Sequence, residues 1–183
     1  ESYLKSARGY VKLAEEINGP IKQPVSFAYI WGDALEELDR AAPLVRLINL
    51  ETSITTSNDY WKGKGINYRM HPQNIASLTA AGIDACTLAN NHVLDWGYAG
   101  LSETLESLKN AGIKTAGAGK NTAAAAAPAV IPVSGSSRVL VFAFGLRSSG
   151  IPLRWAAGPH APGVNLLPDM DARSVRLIRR KVQ

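Results

Sequence analysis

Leu88-Ala89-Asn90-Asn91-His92-Val93-Leu94-Asp95-Trp96-Gly97 is where a run of β-type residues gives way to hydrogen-bonding and metal-ligand types. Upstream, Asp84-Ala85-Cys86-Thr87-Leu88 follows an Ala81-Gly82-Ile83 helix stop, and downstream Gly97-Tyr98 opens a helical pattern. That order predicts strand, loop and helix, with Asn91, His92 and Asp95 on the loop. In open α/β sheets ligands bind at such strand ends. Asn and Asp are also ordinary turn residues, so the cluster alone leaves a site and a plain turn both open.

The stretch has a partner thirty residues on. Leu78-Thr79-Ala80-Ala81-Gly82-Ile83 and Leu108-Lys109-Asn110-Ala111-Gly112-Ile113 are the same helix exit twice, at the pitch of a βαβ unit. The helices expected before these exits run from Pro72 to Ala81, with Ile75 and Leu78 inward, and from Tyr98 to Ala111, with Leu101, Leu105 and Leu108 inward. The second exit leads into Lys114-Thr115-Ala116-Gly117-Ala118-Gly119, a short strand and glycine turn at the same end of the sheet as His92, where small residues permit close backbone approach.

Outward from this centre, Tyr3 to Ile17 reads as a helix with Leu4, Ala7, Val11, Ala14 and Ile17 on one stripe, stopped by Asn18-Gly19-Pro20. Val25 to Trp31 has the β-branched and aromatic content of a strand, and Asp33 is the expected N-cap of a helix through Ala42. Leu44 to Leu50 is the first long buried-strand candidate, ending in Glu51-Thr52-Ser53. Residues 55–70 read as a long exposed loop of a length that is often functional. A short helix over Ala123 to Ala127, strands over Ala129 to Val133 and Arg138 to Phe144, and an irregular crossing without its own core from Gly145 to Pro168 complete the pattern.

The 183 residues and 46% hydrophobic content suit a single α/β domain. Residues 1–24 form its N-terminal helix and linker, 25–145 its core, and 146–183 the irregular crossing and a basic helix. Cys86 has no partner cysteine, which excludes a disulfide framework and makes it a small buried hydrophobe. Much of the net charge of +5 comes from Arg173, Arg176, Arg179, Arg180 and Lys181. Val175, Ile178 and Val182 recur among them at helical spacing, so these residues predict a helix with a solvated basic face rather than a nucleic-acid surface, for which interleaved aromatics are absent. No stretch is long enough to span a bilayer and none reads as a leader, which by default implies the cytoplasm. Because the first residue is Glu1, the chain is read as a piece of a longer polypeptide, and an anchor upstream stays open.

Two strand ends therefore carry polar clusters, Asn49-Leu50-Glu51 and Asn90-Asn91-His92. Parallel neighbouring strands would make them converge into carboxylate, carboxamide and imidazole donors suited to Mn, Zn, Fe or Mg. The set is too small for a two-metal centre, since the histidines are only His71, His92 and His160.

Asn49-Leu50-Glu51-Thr52-Ser53, then Asn67-Tyr68-Arg69-Met70-His71-Pro72, then Ala81-Gly82-Ile83-Asp84, then the stretch from Leu88 to Gly97, taken in this order, resemble the CapA (PGA_cap) family. These are poly-gamma-glutamate capsule synthesis proteins, a divergent branch of the calcineurin-like metallophosphoesterases. The resemblance continues through Gly100-Leu101, Thr104-Leu105, Ala111-Gly112-Ile113 and Gly117-Ala118-Gly119, covering most of residues 25–145. It implies a metallophosphoesterase-like sandwich of β-sheets flanked by helices, of which the N-terminal to central part is present. It further implies a metal-dependent hydrolase with two divalent ions (Mn, Zn, Fe or Mg) in the full-length protein. Carried over by position, Asn91 is a metal ligand and His92 the catalytic acid or electrostatic stabiliser. Glu51 stands where the superfamily has a bridging Asp. Asn90 and Val93 replace the usual flanking Gly and acid, and Asp95 substitutes as the catalytic partner of His92.

Tyr68, Arg69 and His71, with Asn49 and Asn90, are the candidate substrate contacts, and anchoring of the loop is the alternative role for Tyr68, Arg69 and His71. Other family motifs, an Asp-bearing strand end near the N-terminus and His motifs near the C-terminus, have no counterpart here. Gly32-Asp33 imitates the first but reads as a cap. The chain alone is therefore expected to lack the ligands a bimetallic mechanism needs. The expected partner is an anionic small molecule or γ-glutamyl polymer, with association with capsule-synthesis machinery and no nucleic acid. The alternative function is a non-catalytic scaffold that binds the polyanion through Lys and Arg.

Overall fold

The computed structural model describes Leu4 and residues 6–182. Residues 3 and 5 of the expected first helix lie outside the described residues. That helix, α1, spans Ala7–Asn18, with Ser6 Oγ accepting from the Arg8 N–H and Gly19 closing it at φ 81°. None of its residues is buried, and Ile17, on the expected apolar stripe, is 83% exposed.

Residues 25–31 correct the expectation of a strand: they form a turn and one 3-10 turn, Tyr29–Trp31. Among the described residues no strand pairs with them. Instead the Trp31 indole N–H donates to Ser77 O at 2.7 Å and packs on the core, while Val25, Phe27, Tyr29 and Ile30 stay exposed. Helix α2, Ala34–Ala41, follows as expected, but Asp33 does not cap it. Its backbone is already helical and its side chain makes no capping bond.

A three-stranded parallel sheet is the frame of the molecule. β1 is Leu47–Asn49, β4 Ala85–Thr87 and β5 Lys114–Ala116, ordered β1-β4-β5. β2, Ser53–Ile54, and β3, Arg69–Met70, form a separate parallel pair that closes the base of the long loop. β1 is shorter and less buried than the sequence predicts, because it is an edge strand and Leu47 keeps 45% exposure. Arg46 is drawn off instead: its guanidinium donates to Ala81 O and Asp39 Oδ1, and its amide donates to Asp84 Oδ2.

One face of the sheet is covered by helices. Pro72 opens a 3-10 turn, Pro72–Ile75, which passes into α3, Ala76–Ala80; the longer α4 spans Gly97–Asn110. Leu78, Ile83, Cys86, Leu88, Leu101, Leu108 and Ile113 form the main core there. The chain then continues through β6, Ala118–Gly119, and α5, Thr122–Ala126, to the antiparallel hairpin of β7, Ala129–Pro132, and β8, Arg138–Val141. That hairpin covers the other face, where Ala85 and Ala116 meet Ala129 and Ile131 in a smaller cluster. The fold is mixed α/β, as the sequence implies.

The crossing expected to lack a core of its own contributes to the main one. Ile151, Trp155 and Val164 are buried in it, β9, Gly163–Val164, pairs antiparallel with β6, and the Asn165 N–H donates to Gly117 O at 2.8 Å. The final helix, α6, spans Ala172–Val182, and here too burial departs from the pattern: Val175 and Val182 are more than half exposed, and Ser174 is the buried residue. No helix among the described residues is long and apolar enough to cross a membrane.

Cys86 sits fully buried on the central strand, and burial pushes its thiol from 9.0 to about 12. The thiol is therefore expected to resist iodoacetamide at pH 8 in the native chain and to react fully in urea. Substantial native labelling would contradict this burial. The unfolded-state thiol loses its proton first, so this group makes stability fall with rising pH between about 9 and about 12.

Candidate functional site

The register of the sheet sets Asn49, Thr87 and Ala116 side by side at its C-terminal edge. The polar groups there interlock. Thr87 Oγ1 and Asn90 Nδ2 both donate to Asn49 Oδ1, at 3.2 and 3.1 Å, and Asn49 Nδ2 donates to Glu51 Oε1 at 2.8 Å. Asn90, itself buried, also donates to Leu50 O at 2.9 Å and accepts the His92 N–H at 3.0 Å. The two clusters thus converge as the sequence predicts for parallel strands. Asn49 and Asn90 spend their amides on joining the strand ends, and Glu51 projects into solvent from the same bridge.

Beyond Asn90 the chain makes a compact turn. Val93 and Leu94 are fully buried and anchor it, the Asp95 N–H donates to His92 O at 3.1 Å, and Ser53 Oγ donates to Val93 O at 3.1 Å. Held this way, His92 Nδ1 lies 2.7 Å from Asp95 Oδ2, and the Asp95 side chain is wholly buried. The same oxygen accepts the Tyr68 N–H at 2.7 Å, and the Tyr68 ring lies against the imidazole with centroids 4.4 Å apart.

The loop between β2 and β3 adds a residue that sequence reasoning missed. Lys64 Nζ ion-pairs with Asp95 Oδ1, donates to Asn91 O, and stands 3.0 Å from His92 Nδ1. The only local signal was its position between Gly63 and Gly65. Nothing in hydrophobic periodicity links it to Asp95, thirty-one residues away.

The geometry fixes the proton. An imidazole lone pair does not approach a carboxylate oxygen at 2.7 Å, so Nδ1 carries hydrogen and donates to Asp95. The short Lys64 to Nδ1 distance is then two donors converging on one carboxylate, not a bond between them. Nε2 is the ring nitrogen that this network leaves unengaged. Among the described residues neither Nε2 nor the Asn91 side-chain amide makes a hydrogen bond, and His92 keeps 11% of its side chain exposed. Such an imidazole can take a proton from, or return one to, a group outside.

The remaining expected contacts lie to one side. Arg69 donates to Ser57 O and Asn58 Oδ1 and stacks its guanidinium 4.1 Å from the Trp96 ring centroid. His71 caps the Pro72 turn, with Nδ1 accepting from the Gln73 N–H at 3.2 Å. Arg69 therefore anchors the loop and also lines a cleft of about 920 Å³ with Tyr10, Tyr60, Asn67, Tyr68 and Trp96, while His71 holds the turn that follows β3. The far end of the loop is held by Glu103 on α4, which accepts from the Thr56 N–H at 2.9 Å and from the Thr55 and Thr56 hydroxyls. These bonds, that from the Thr55 hydroxyl foremost, hold its carboxyl pKa below the usual carboxylate range.

The family model described as "Bacterial capsule synthesis protein PGA_cap" matches residues 6–183. The chain belongs to this family. Two curated relatives, each named "Probable polyglutamine synthesis accessory protein" and found in the CDC 1551 / Oshkosh and H37Rv strains of Mycobacterium tuberculosis, are 46% identical over 175 residues. The match covers 96% of this chain and 46% of theirs, so the chain spans about half the length of those relatives. A third relative, an "Uncharacterized protein" of Sinorhizobium fredii, is 34% identical over 122 residues, covering 59% of this chain and 26% of its own. The PGA_cap match includes both polar strand ends, the Lys64 loop and the His92 turn.

The two-metal centre that the resemblance implies is not assembled by the described residues. Among them no group of three or more His, Cys, Asp or Glu side chains is placed to hold an ion. Asn49 Oδ1 already accepts two hydrogen bonds, which leaves the Glu51 carboxylate and the Asn91 amide as available oxygen donors. Their chemistry suits a hard divalent cation, and their number falls short of the four to six such ions need.

Proposed function

We propose that this chain contributes the His92 corner of a hydrolytic centre, in a protein that assists capsule or polyglutamate synthesis and cleaves a phosphoester or related anionic group. The observation that carries it is the Asp95-His92 pair, with Nδ1 tied down while Nε2 and the Asn91 side-chain amide make no hydrogen bond among the described residues. The family match and the names of the Mycobacterium relatives support the biosynthetic setting.

In this reading Glu51 and Asn91 would hold one edge of a divalent site, whose ion would polarise the anionic group and lower the pKa of a bound water. His92 Nε2 holds or releases the proton exchanged with the leaving oxygen. Asp95 keeps the ring oriented through that exchange, and Tyr68 shields one face of the imidazole. The cleft walled by Tyr60, Tyr68, Arg69 and Trp96 adjoins the imidazole through Tyr68 and receives the rest of the substrate.

The test uses the whole polypeptide, supplied with Mn and bis(p-nitrophenyl) phosphate. His92→Ala is expected to lower turnover by about a hundredfold. Asn91→Ala is expected to lower both bound metal and turnover. Unchanged metal content and hydrolysis in both variants would remove the assignment. A second reading, binding of the polyanion without cleavage, is favoured by α6, where Arg173, Arg176, Arg179 and Arg180 are exposed. It predicts γ-glutamyl polymer binding that weakens with salt and is indifferent to His92→Ala.

A further inference from the structure

We propose that the free edge of β5, in a cleft between α4 and β7, is a docking site for an extended acidic polypeptide segment, which joins the sheet as an added strand and is held by Lys109, Lys114 and Lys120.

The register of the sheet leaves this edge open. The Lys114 N–H donates to Asp84 O and Ala116 O accepts from the Leu88 N–H, so these two residues turn their backbone groups toward β4. Thr115 between them turns its N–H and C=O the other way, as alternation along a parallel strand requires, and no described residue pairs with them. The chain closes the edge only from Gly117 onward, where the Asn165 N–H donates to Gly117 O and β9 pairs with β6. Before that point a cleft of about 730 Å³ runs along the edge, walled by Leu105 and Glu106 of α4 on one face of the sheet and by Ala129 and Val130 of β7 on the other. An antiparallel segment laid there exchanges two hydrogen bonds with Thr115.

The charge around the cleft selects the occupant. Lys109 in the last turn of α4, Lys114 at the start of β5 and Lys120 just after β6 all line it and are exposed, and none of their ammoniums has an ion-pair or hydrogen-bond partner among the described residues. Glu106 is the one acid in the lining. Lysines on a strand edge repel a second copy of the same edge and attract carboxylates. No aromatic side chain lines the cleft for a nucleic-acid base to stack on, and the paired donor and acceptor of Thr115 call for a peptide backbone. The cleft shares no residue with the network around His92, and the inference is independent of the hydrolytic reading.

The test titrates the ¹⁵N-labelled chain with a blocked octapeptide of alternating glutamate and valine. The Thr115 amide is expected to shift and to exchange with solvent about tenfold more slowly in the complex. The double variant Lys114→Glu, Lys120→Glu is expected to bind this peptide about tenfold more weakly and to gain binding of the matching lysine–valine octapeptide. Two further peptides are N-methylated at every valine or at every glutamate. One is expected to lose binding and the other to keep it, because only alternate amides of an added strand face Thr115. Equal behaviour of these two peptides, an unmoved Thr115 amide, unchanged affinity in the double variant, or no binding at millimolar peptide would overturn the proposal. Poly-γ-glutamate binding as tightly as the octapeptide would overturn it too, since its amide spacing is not that of a strand and capture would then be by charge alone.

Discussion

Asp95→Ala is expected to destabilise the chain by about 3–5 kcal/mol, the range for breaking a buried ion pair from one side. The size follows from what is left behind. Lys64, pulled inward between the loop and the turn, loses its counter-charge, and the Tyr68 N–H and His92 Nδ1 lose their shared acceptor. Three donors are stranded by one truncation, and each carries its own desolvation penalty. Asp95→Asn keeps the shape and one acceptor oxygen but removes the charge, so it is expected to fall between wild type and Asp95→Ala. Urea unfolding followed by tryptophan fluorescence measures the difference. A loss below about 1 kcal/mol for Asp95→Ala would show that the pair is solvated in solution and is not a buried anchor.

Trp155→Ala is expected to cost about 3–5 kcal/mol for a different reason, the cavity left by a large side chain that is 0% exposed. The indole packs edge-on against Trp61 with ring centroids 5.2 Å apart, and Trp61 in turn meets Tyr98. It therefore fastens the crossing of residues 145–168 both to the core and to the loop that carries Lys64. The Trp155 ring nitrogen is buried without a partner among the described residues. Trp155→Phe forfeits less than its lost volume suggests, because it also deletes that unpaired donor, and about 1–2 kcal/mol is expected. Equal losses for the two variants in urea would refute this packing account. So would a Trp155→Ala variant whose loop amides exchange no faster than those of the wild type.

The elements around β4 were legible because local rules and global fold agree there. The two Ala-Gly-Ile exits have the same geometry in the structure: Gly82 and Gly112 take φ of 62° and 77°, and the N–H groups of Ile83 and Ile113 reach back to the O atoms of Leu78 and Leu108. The close approach expected near Gly117 is present, since a Cβ there would come within 2.8 Å of both Ala89 and Ala143. His92 and Asp95 were also readable as a pair, because one turn of loop separates them. What stayed hidden depends on partners distant in sequence. Val25 to Trp31 has strand composition but pairs with no strand among the described residues, and Trp155 is a core residue inside a segment rich in Gly and Pro, where periodicity carries no signal. Lys64 looks like a loop lysine until the fold folds it under. The apolar stripe of α6 has the correct period and remains largely exposed, because periodicity marks a face without saying what covers it.

The helix exits act as a ruler for the site at the opposite end of the sheet. Asp84 hydrogen-bonds to Arg46 O and Lys114 to Asp84 O, so the strands start level, and each runs three residues before its loop begins. The position of His92 is thus counted off from Gly82. One residue inserted at that exit would push the turn outward by about 3.3 Å, or else rotate Cys86 out of the core. Either adjustment pulls Asp95 away from a lysine anchored elsewhere, so the spacing of an apolar corner with no chemistry of its own sets whether the site can assemble.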